Sequence, residues 1–509
     1  MSAAARQPSL LMPTAPDEAF SPLTLSRARD MVGGRLSSDW HADVLILRVV
    51  THSAQVRAGD LFVPLDGHTT RGCMHYREAM ARGAAALLVE TTDPRPDHFP
   101  SLICENKRKS GAEIMNAMLG DPLSGLSFVG ITGTKGKTST LAMLRAEMEF
   151  VGKTPLTVGT LGIGAADGMT PLVNTTPDLF FLLPHFARYV RGGGRTVLCE
   201  VSSQALADRR LEGAHIPLAV FTGFFRDHIG PREHASLADY YGAKRRLFTD
   251  YSVKTAIAPC ESPYSRDITR GVSRRLFASL REPSDLSFIP IRTDPSATRF
   301  SYRDHSYTLS VGGLAQLSNA ALATLAATEL LHLPPEAFLP ALSDVYIAGR
   351  MECYRLGDAT VIIDYAHNGE SLRAAALASR PLCRCRMITL FGSVGGRAEC
   401  RRRDLVEAAE EVADLVILTE DDTDTEPRED ILSEMLSYAR DASVFVCIPD
   451  RAEAIRHACS ISRPGDTVLL LGKGHEQFLV RGGLRIPFCE REILLSLGAT
   501  PLANPSHRI

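Results

Sequence analysis

The chain has 509 residues, of which 45 % are hydrophobic and 23 % charged, with a formal net charge of −3. At roughly 150 residues per domain this length holds about three domains, with enough apolar residues for sizeable cores. The charge gives no support to a nucleic-acid binder, no run of roughly 18 apolar residues is present to span a membrane, and eleven cysteines without metal-like spacing fit free thiols in a reducing cytosol.

Residues 1–20 carry Pro8, Pro13 and Pro16 and lack a continuous apolar stretch. They read as a flexible extension, not a signal peptide. In the block up to residue 125, apolar runs at 43–50, 59–64 and 84–90 read as strands, with a helix over 75–82. This is a small α/β domain.

A second block covers 126–348. It opens with a short buried strand at 126–132, then Gly133, Thr134, Lys135, Gly136, Lys137 and Thr138, then a helix with Leu141, Leu144, Met148 and Val151 on one face. A strict phosphate loop would place its first glycine at Ile131. A glycine-rich turn between strand and helix still lets backbone N–H groups and the helix start cradle phosphates. The expectation is ATP, with Lys137 on the β/γ-phosphates and Thr138 on Mg²⁺; a bare structural turn is the alternative. Further strands at 195–201 and 218–222 argue for a parallel sheet buried on both faces, and 317–331 is an alanine-rich helix.

In such sheets ligands sit beyond the carboxyl ends of the strands. Glu200 closes one strand and His228 follows another, so both are candidate Mg²⁺ ligands, although a lone strand-end Glu is more often solvated or ion-paired. Lys244 lies on an amphipathic helix beside Arg245 and Arg246, and spacing alone makes it a surface lysine.

The third block, 349–509, has strands at 359–364, 387–391, 415–419 and 467–471, with helices over 402–412 and 429–440. Alternating βα units predict another doubly wound sheet, so the fold class is α/β throughout, with a Rossmann-like last domain. Polar turns follow strands or joints at Gly349-Arg350, at Asp364 to His367, at Gly392 to Arg397 and at Gly472 to Glu476. Together they argue for a second binding face.

These motifs, with Asn174-Thr175-Thr176-Pro177-Asp178, resemble the Mur ligase family over roughly residues 45 to 495, and most closely its members that add the third residue of the peptidoglycan stem peptide. The resemblance implies a cytoplasmic, ATP- and Mg²⁺-dependent amide ligase of cell-wall synthesis, with roles in cell shape and division, a UDP-binding first domain, a central ATP domain and an amino-acid-binding last domain. A monomer is expected, and its partners are a UDP-N-acetylmuramoyl-dipeptide and a free amino acid.

Residue by residue, Ser53 and the 59–65 strand region would meet the uridine, although His52-Ser53-Ala54 replaces the family's Asp-Ser-Arg. Thr175, Thr176, Ser202 and Arg210 match positions holding the muramoyl-dipeptide, with Gln204 where a His is usual. Lys244 matches the lysine that becomes carbamylated and binds a second Mg²⁺, which overturns the surface reading. Asn319 matches an adenine-side position, although Ala315-Gln316 replaces Phe-Asn. Arg350 and Asp364 match ATP contacts at phosphate and ribose.

Arg397, Gly472 and Glu476 match positions around the incoming amino acid. Where diaminopimelate enzymes carry Asp-Asn-Pro-Arg, this chain reads Asp421-Asp422-Thr423-Asp424. An acid in place of Arg repels a distal carboxylate and accepts a distal ammonium. The expectation is therefore L-lysine, with meso-diaminopimelate as the alternative; a slipped alignment would bring in Arg428. The expected chemistry is an acyl phosphate attacked by the amine. A folylpolyglutamate synthetase-like ligase and a non-catalytic nucleotide-binding module are the competing readings.

Overall fold

The computed structural model describes residues 19–38, 43–67, 70–165, 168–227, 229–230, 233–396 and 400–502. Most of the expected flexible extension lies outside the described residues. Contacts divide the chain into two compact units: residues up to 130 with 154–217 and 249–253, and residues 131–153, 218–248 and 254 onward.

The first unit begins with a five-stranded sheet of β1 (Arg35–Leu36), β2 (Arg48–Val50), β3 (Asp60–Phe62), β4 (Ala86–Glu90) and β5 (Ser101–Cys104), in the order β1-β5-β4-β3-β2. All its pairings are parallel except β1 with β5. Val50, Phe62, Leu87, Val89 and Ile103 form its core. The expected strand at 43–50 is split, with Leu45–Ile46 and Arg48–Val50 as separate strands. The expected 75–82 helix is Tyr76–Ala81, entered through a 3-10 turn.

Strand β6 (Ser127–Thr132) leads from this unit toward the glycine loop. The first unit then adds β7 (Leu156–Gly159), β8 (Gly162–Ala165), β9 (Gly168–Thr170) and β10 (Thr196–Glu200). β10 runs parallel to β7, whereas β8 is antiparallel to β7 and to β9. A helix over Leu179–Arg191, not among the expected elements, is capped by the Asp178 carboxylate, which accepts from Phe180 N–H, and carries Pro184 in its interior.

In the second unit, helix α1 (Lys137–Phe150) follows the glycine loop. Strands β11 (Leu218–Phe221), β12 (Thr255–Pro259), β13 (Arg274–Ser279) and β14 (Leu286–Ser287) pair in parallel. Helix α2 (Leu237–Asp250) connects β11 to β12. Helix α3 (Leu314–Leu331) packs on α1, where Thr324 donates a hydrogen bond to the buried Glu147. Burial pushes the Glu147 carboxyl well above its ordinary pKa, against the hydrogen bond from Thr324.

The last part of the unit is a seven-stranded sheet of β15 (Glu352–Leu356), β16 (Ala359–Asp364), β17 (Met387–Phe391), β18 (Leu415–Leu418), β19 (Phe445–Cys447), β20 (Thr467–Leu471) and a closing edge strand, Thr500–Pro501. Their order is β19-β18-β17-β20-β16-β15 and then the edge strand. The five strands from β19 to β16 pair in parallel. Val361, Ile363, Ile388, Leu390, Val468 and Leu470 are buried in the core on this sheet. A hairpin of β21 (Phe478–Arg481) and β22 (Leu484–Pro487) follows. The architecture is mixed α/β built on large parallel sheets, as expected. Among the described residues no helix is long and apolar enough to cross a membrane.

Candidate active site

The glycine loop is shaped by what surrounds it. A Cβ on Gly133, at φ +153°, would stand 2.0 Å from Thr222 Oγ1; one on Gly136, at φ +87°, would stand 2.3 Å from Asn319 Oδ1. Gly133 therefore needs glycine for space, and Gly136 for its left-handed backbone, with the Asn319 side chain having to shift for any Cβ there. Thr134 is buried: its N–H donates to Gly223 O (2.9 Å), and Phe225 N–H and Tyr240 OH both reach its hydroxyl at 3.1 Å. Helix α1 starts at Lys137 without a side-chain cap, the arrangement that leaves a helix start to bind anions. Lys137 Nζ folds back onto the carbonyls of Gly133 (2.8 Å) and Thr134 (3.2 Å). Thr138 is buried one residue further on.

Lys244 is not a surface lysine. It is 1 % exposed, donates to Gly133 O at 2.8 Å and lies 4.5 Å from the Tyr240 ring centroid. Burial, reinforced by the charge of Lys137, pushes its pKa well below the lysine range. Helical periodicity alone does not reveal that this face of α2 meets the loop. Asn319, buried on α3, is placed against Gly136 and bonds Gln316 at 3.2 Å.

Residues on the loops and helices that flank the seven-stranded sheet meet the same loop. Asp227, buried, accepts from Asn368 Nδ2 (2.9 Å) and Arg401 Nε (2.7 Å), with Lys135 Nζ at 3.4 Å. Lys135 Nζ also lies 3.0 Å from His367 Nε2, while His367 Nδ1 lies 2.9 Å from Tyr365 O. A carbonyl only accepts, so Nδ1 carries the ring proton and Nε2 accepts from Lys135. Burial and Lys135 keep His367 neutral, and burial brings Lys135 down to about 8. Asp227, Asn368 and Arg401 had no assigned role in the sequence; Arg401 sits in a basic run that gives no sign of a buried partner.

Several of the polar turns touch one another. Asp364 accepts from Met351 N–H (3.0 Å) and Ala366 N–H (2.8 Å), so it braces the Arg350 turn. Burial raises its pKa, with Arg350 opposing. Arg350 lies over the Tyr365 ring at 4.5 Å. A Cβ on Gly349, at φ +66°, would meet His475 N at 2.1 Å. The Gly392 turn packs on the loop after β18, where a Cβ on Gly395 would reach Thr423 O at 1.9 Å.

Around the third-residue loop, Lys473 is fully buried and pairs with Asp422 (2.8 Å), Asp421 (3.7 Å) and Glu476. Burial works against its charge, but the three acids together still raise its pKa. Glu476 also accepts from Tyr365 OH at 3.2 Å. Gly472, at φ +108°, leaves room for the Asp421 carboxylate, 2.8 Å from where its Cβ would be. Asp424 is left-handed, at φ +51°. The expected charge argument for L-lysine treated these acids as bare, whereas Lys473 already neutralises much of them.

In the first unit, Glu200 is 1 % exposed and accepts from Thr160 N–H (2.8 Å) and Thr160 Oγ1 (3.1 Å). Thr176 Oγ1 donates to Glu200 O (2.7 Å) and accepts from Ser202 N–H (3.0 Å); Thr175 Oγ1 is 3.3 Å from Thr160 Oγ1. Arg210 donates to Thr176 O (3.2 Å) and Asp208 (2.8 Å). Thr175, Thr176, Ser202 and Arg210 thus gather beside Glu200. Gln204 instead bonds Asp208 at 2.9 Å. Ser53 stands apart, donating to Glu78 at 2.6 Å. His228 and Arg397 lie outside the described residues.

A glycine loop at a helix start, a buried lysine held against it and a second polar face on a separate sheet suit a ligase that spends ATP. Residues 131–327 match the family described as Mur ligase middle domain, and residues 349–474 match Mur ligase, glutamate ligase domain. The chain belongs to the Mur ligase family of ATP-dependent amide ligases. It is 31 % identical to the UDP-N-acetylmuramoyl-L-alanyl-D-glutamate--2,6-diaminopimelate ligase of Coxiella burnetii, over 89 % of this chain and 95 % of that protein. It is 32 % identical to the ligase of the same description from Trichormus variabilis, over 89 % and 94 %. A solved structure of a ligase so described superposes with a TM-score of 0.67 at 25 % identity, covering 93 % of this chain and 99 % of that one. These relatives support the diaminopimelate alternative; L-lysine finds no support among them.

Proposed function

We propose that the chain joins meso-diaminopimelate to the D-glutamyl carboxylate of UDP-N-acetylmuramoyl-L-alanyl-D-glutamate, in the cytoplasm, with ATP cleaved to ADP and phosphate. Residues 1–125, 126–348 and 349–509 serve as the UDP, ATP and amino-acid domains. The observation that carries this reading is the loop holding Lys137 and Lys244 on one carbonyl, in a chain whose relatives are diaminopimelate ligases over nearly nine-tenths of its length.

A carboxylate at neutral pH is a poor acyl donor, so its oxygen first takes the γ-phosphoryl group. The amine then attacks the acyl phosphate carbonyl, and phosphate leaves. Loop N–H groups and Lys137 would hold the triphosphate while charge shifts along it. Lys244 is suited to carbamylation, because CO₂ adds only to a neutral amine and burial shifts this one toward its neutral form. Among the described residues no group of three His, Cys, Asp or Glu side chains forms a metal cluster. By chemistry the Thr138 hydroxyl and a Lys244 carbamate, both in the second unit, are hard oxygen donors suited to Mg²⁺; the Glu200 carboxylate and His228 are carried as ligands by the sequence and its family resemblance alone. Bound there, Mg²⁺ would screen the repulsion between triphosphate and carboxylate. Arg350 and Asp364 would close over the nucleotide, and Arg397, Gly472 and Glu476 would hold the incoming amino acid. Ser53 would contact the uridine, and Thr175, Thr176, Ser202 and Arg210 the dipeptide.

The test is phosphate release with the UDP-dipeptide, ATP and a panel of amino acids. Release with diaminopimelate supports the reading. Release with L-lysine alone corrects the amino acid, and release with a folate, or with nothing, refutes it.

A further inference from the structure

The loop position that resemblance gives to a carboxylate-binding arginine is Asp424 here, yet the backbone brings an arginine beside it. Asp424 N–H donates to Val480 O (3.1 Å), Gly483 N–H donates to Asp424 O (3.3 Å), and Asp424 is bridged to Arg481. Val480 N–H also donates to Asp422 Oδ1 at 2.9 Å. The hairpin β21–β22 therefore lies along the loop, with Arg481 in register with Asp424.

Arg481 is aimed by a buried carboxylate. Glu420, at the end of β18, is 2 % exposed; Arg481 reaches it through Nη2 (2.5 Å) and Nε (3.1 Å), and Arg428 Nη1 lies 3.7 Å from it. Two guanidinium groups share one buried carboxylate. Their other partners are solvent-facing: Asp450, 40 % exposed, is 3.9 Å from Arg481, and Glu429, 65 % exposed, is 2.9 Å from Arg428. Exposed pairs of this kind hold weakly. Arg481 and Arg428 themselves keep 41 % and 30 % of their side-chain surface open.

We propose that Arg481 and Arg428 bind the distal carboxylate of the incoming diamino acid, replacing the arginine that the selectivity loop lacks. This rests on the diaminopimelate reading above. The distal centre of meso-diaminopimelate carries both a carboxylate and an ammonium group. The arginines take the first and Asp424 the second, across one backbone bridge. L-lysine carries only the ammonium and makes no use of Arg481 or Arg428.

The experiment measures phosphate release by the full chain with ATP and the UDP-dipeptide, titrating meso-diaminopimelate or L-lysine. Wild type, Arg481→Ala, Arg428→Ala, the double variant and Arg481→Lys are compared. The expected result is a KM for diaminopimelate raised at least about tenfold by Arg481→Ala, further in the double variant and partly restored by Arg481→Lys. Unchanged KM values for ATP and dipeptide report an intact fold. A diaminopimelate KM within about twofold of wild type in the double variant overturns the proposal while leaving the proposed function standing. Wild type that uses L-lysine and ignores diaminopimelate overturns the amino-acid reading, and this inference with it.

Discussion

Around residues 133–138 the site is set by backbone packing, whereas around Asp421 to Asp424 it is set by charges arriving from elsewhere in the chain. At the nucleotide loop, Thr222 and the backbone beside it crowd Gly133, and Gly136 is held left-handed with Asn319 against it, so a Cβ at either position needs a neighbour to shift. At the third-residue loop, Lys473 and Arg481 decide what the acids mean. A backbone-set site keeps its motif visible. A charge-set site can exchange residues and still present the same field, as long as the sum of charges survives.

The largest effect that would break this comparison is at Lys137. Lys137→Ala is expected to lower turnover about 100- to 1,000-fold, as loss of one preorganised donor does elsewhere, with phosphate release as the readout. Next is Lys473→Met, which leaves Asp422 and Glu476 without their cation. Breaking such a buried pair costs about 3–5 kcal/mol, so chemical denaturation should show a large loss of stability; a loss below about 1 kcal/mol would show that the acids are not held by Lys473. Gly136→Ala sharpens the other side. Its left-handed backbone and the Asn319 contact predict about 1–3 kcal/mol of strain and weakened ATP binding by calorimetry, which Asn319→Ala relieves only in part.

The smallest effect is a pH dependence at His475. Burial, with Arg350 and Lys473 adding to it, lowers its pKa to about 3, against about 6.5 for an unfolded histidine. The folded chain then binds fewer protons between these values. The contribution to stability is full above pH about 6.5 and is lost as pH falls toward 3. His475→Asn should flatten that part of a thermal-denaturation profile; an unchanged slope would place the acid sensitivity elsewhere.

Much of this was readable from the chain. Strands 359–364, 387–391 and 467–471 have the expected bounds because continuous apolar runs bounded by turns leave little choice. The glycine loop and the Gly349, Asp364 and Gly472 turns were readable because close backbone approach demands particular residues. The burial of Lys244 was not, since helical spacing assigns a face without naming what covers it. Nor was the Arg481 hairpin, although Gly482-Gly483, at φ +59° and +74°, is a two-residue turn signal that could have revealed it. The L-lysine expectation counted the charges of one loop, and the cations that answer them lie 49 and 57 residues further on.

The central claim is that ATP activates the substrate carboxylate by phosphorylating it, and oxygen labelling tests this most directly. The UDP-dipeptide would carry ¹⁸O in both oxygens of its D-glutamyl carboxylate, and the released phosphate would be weighed by mass spectrometry. The account predicts one labelled oxygen in the phosphate and one in the new amide. Unlabelled phosphate alongside amide product would contradict it.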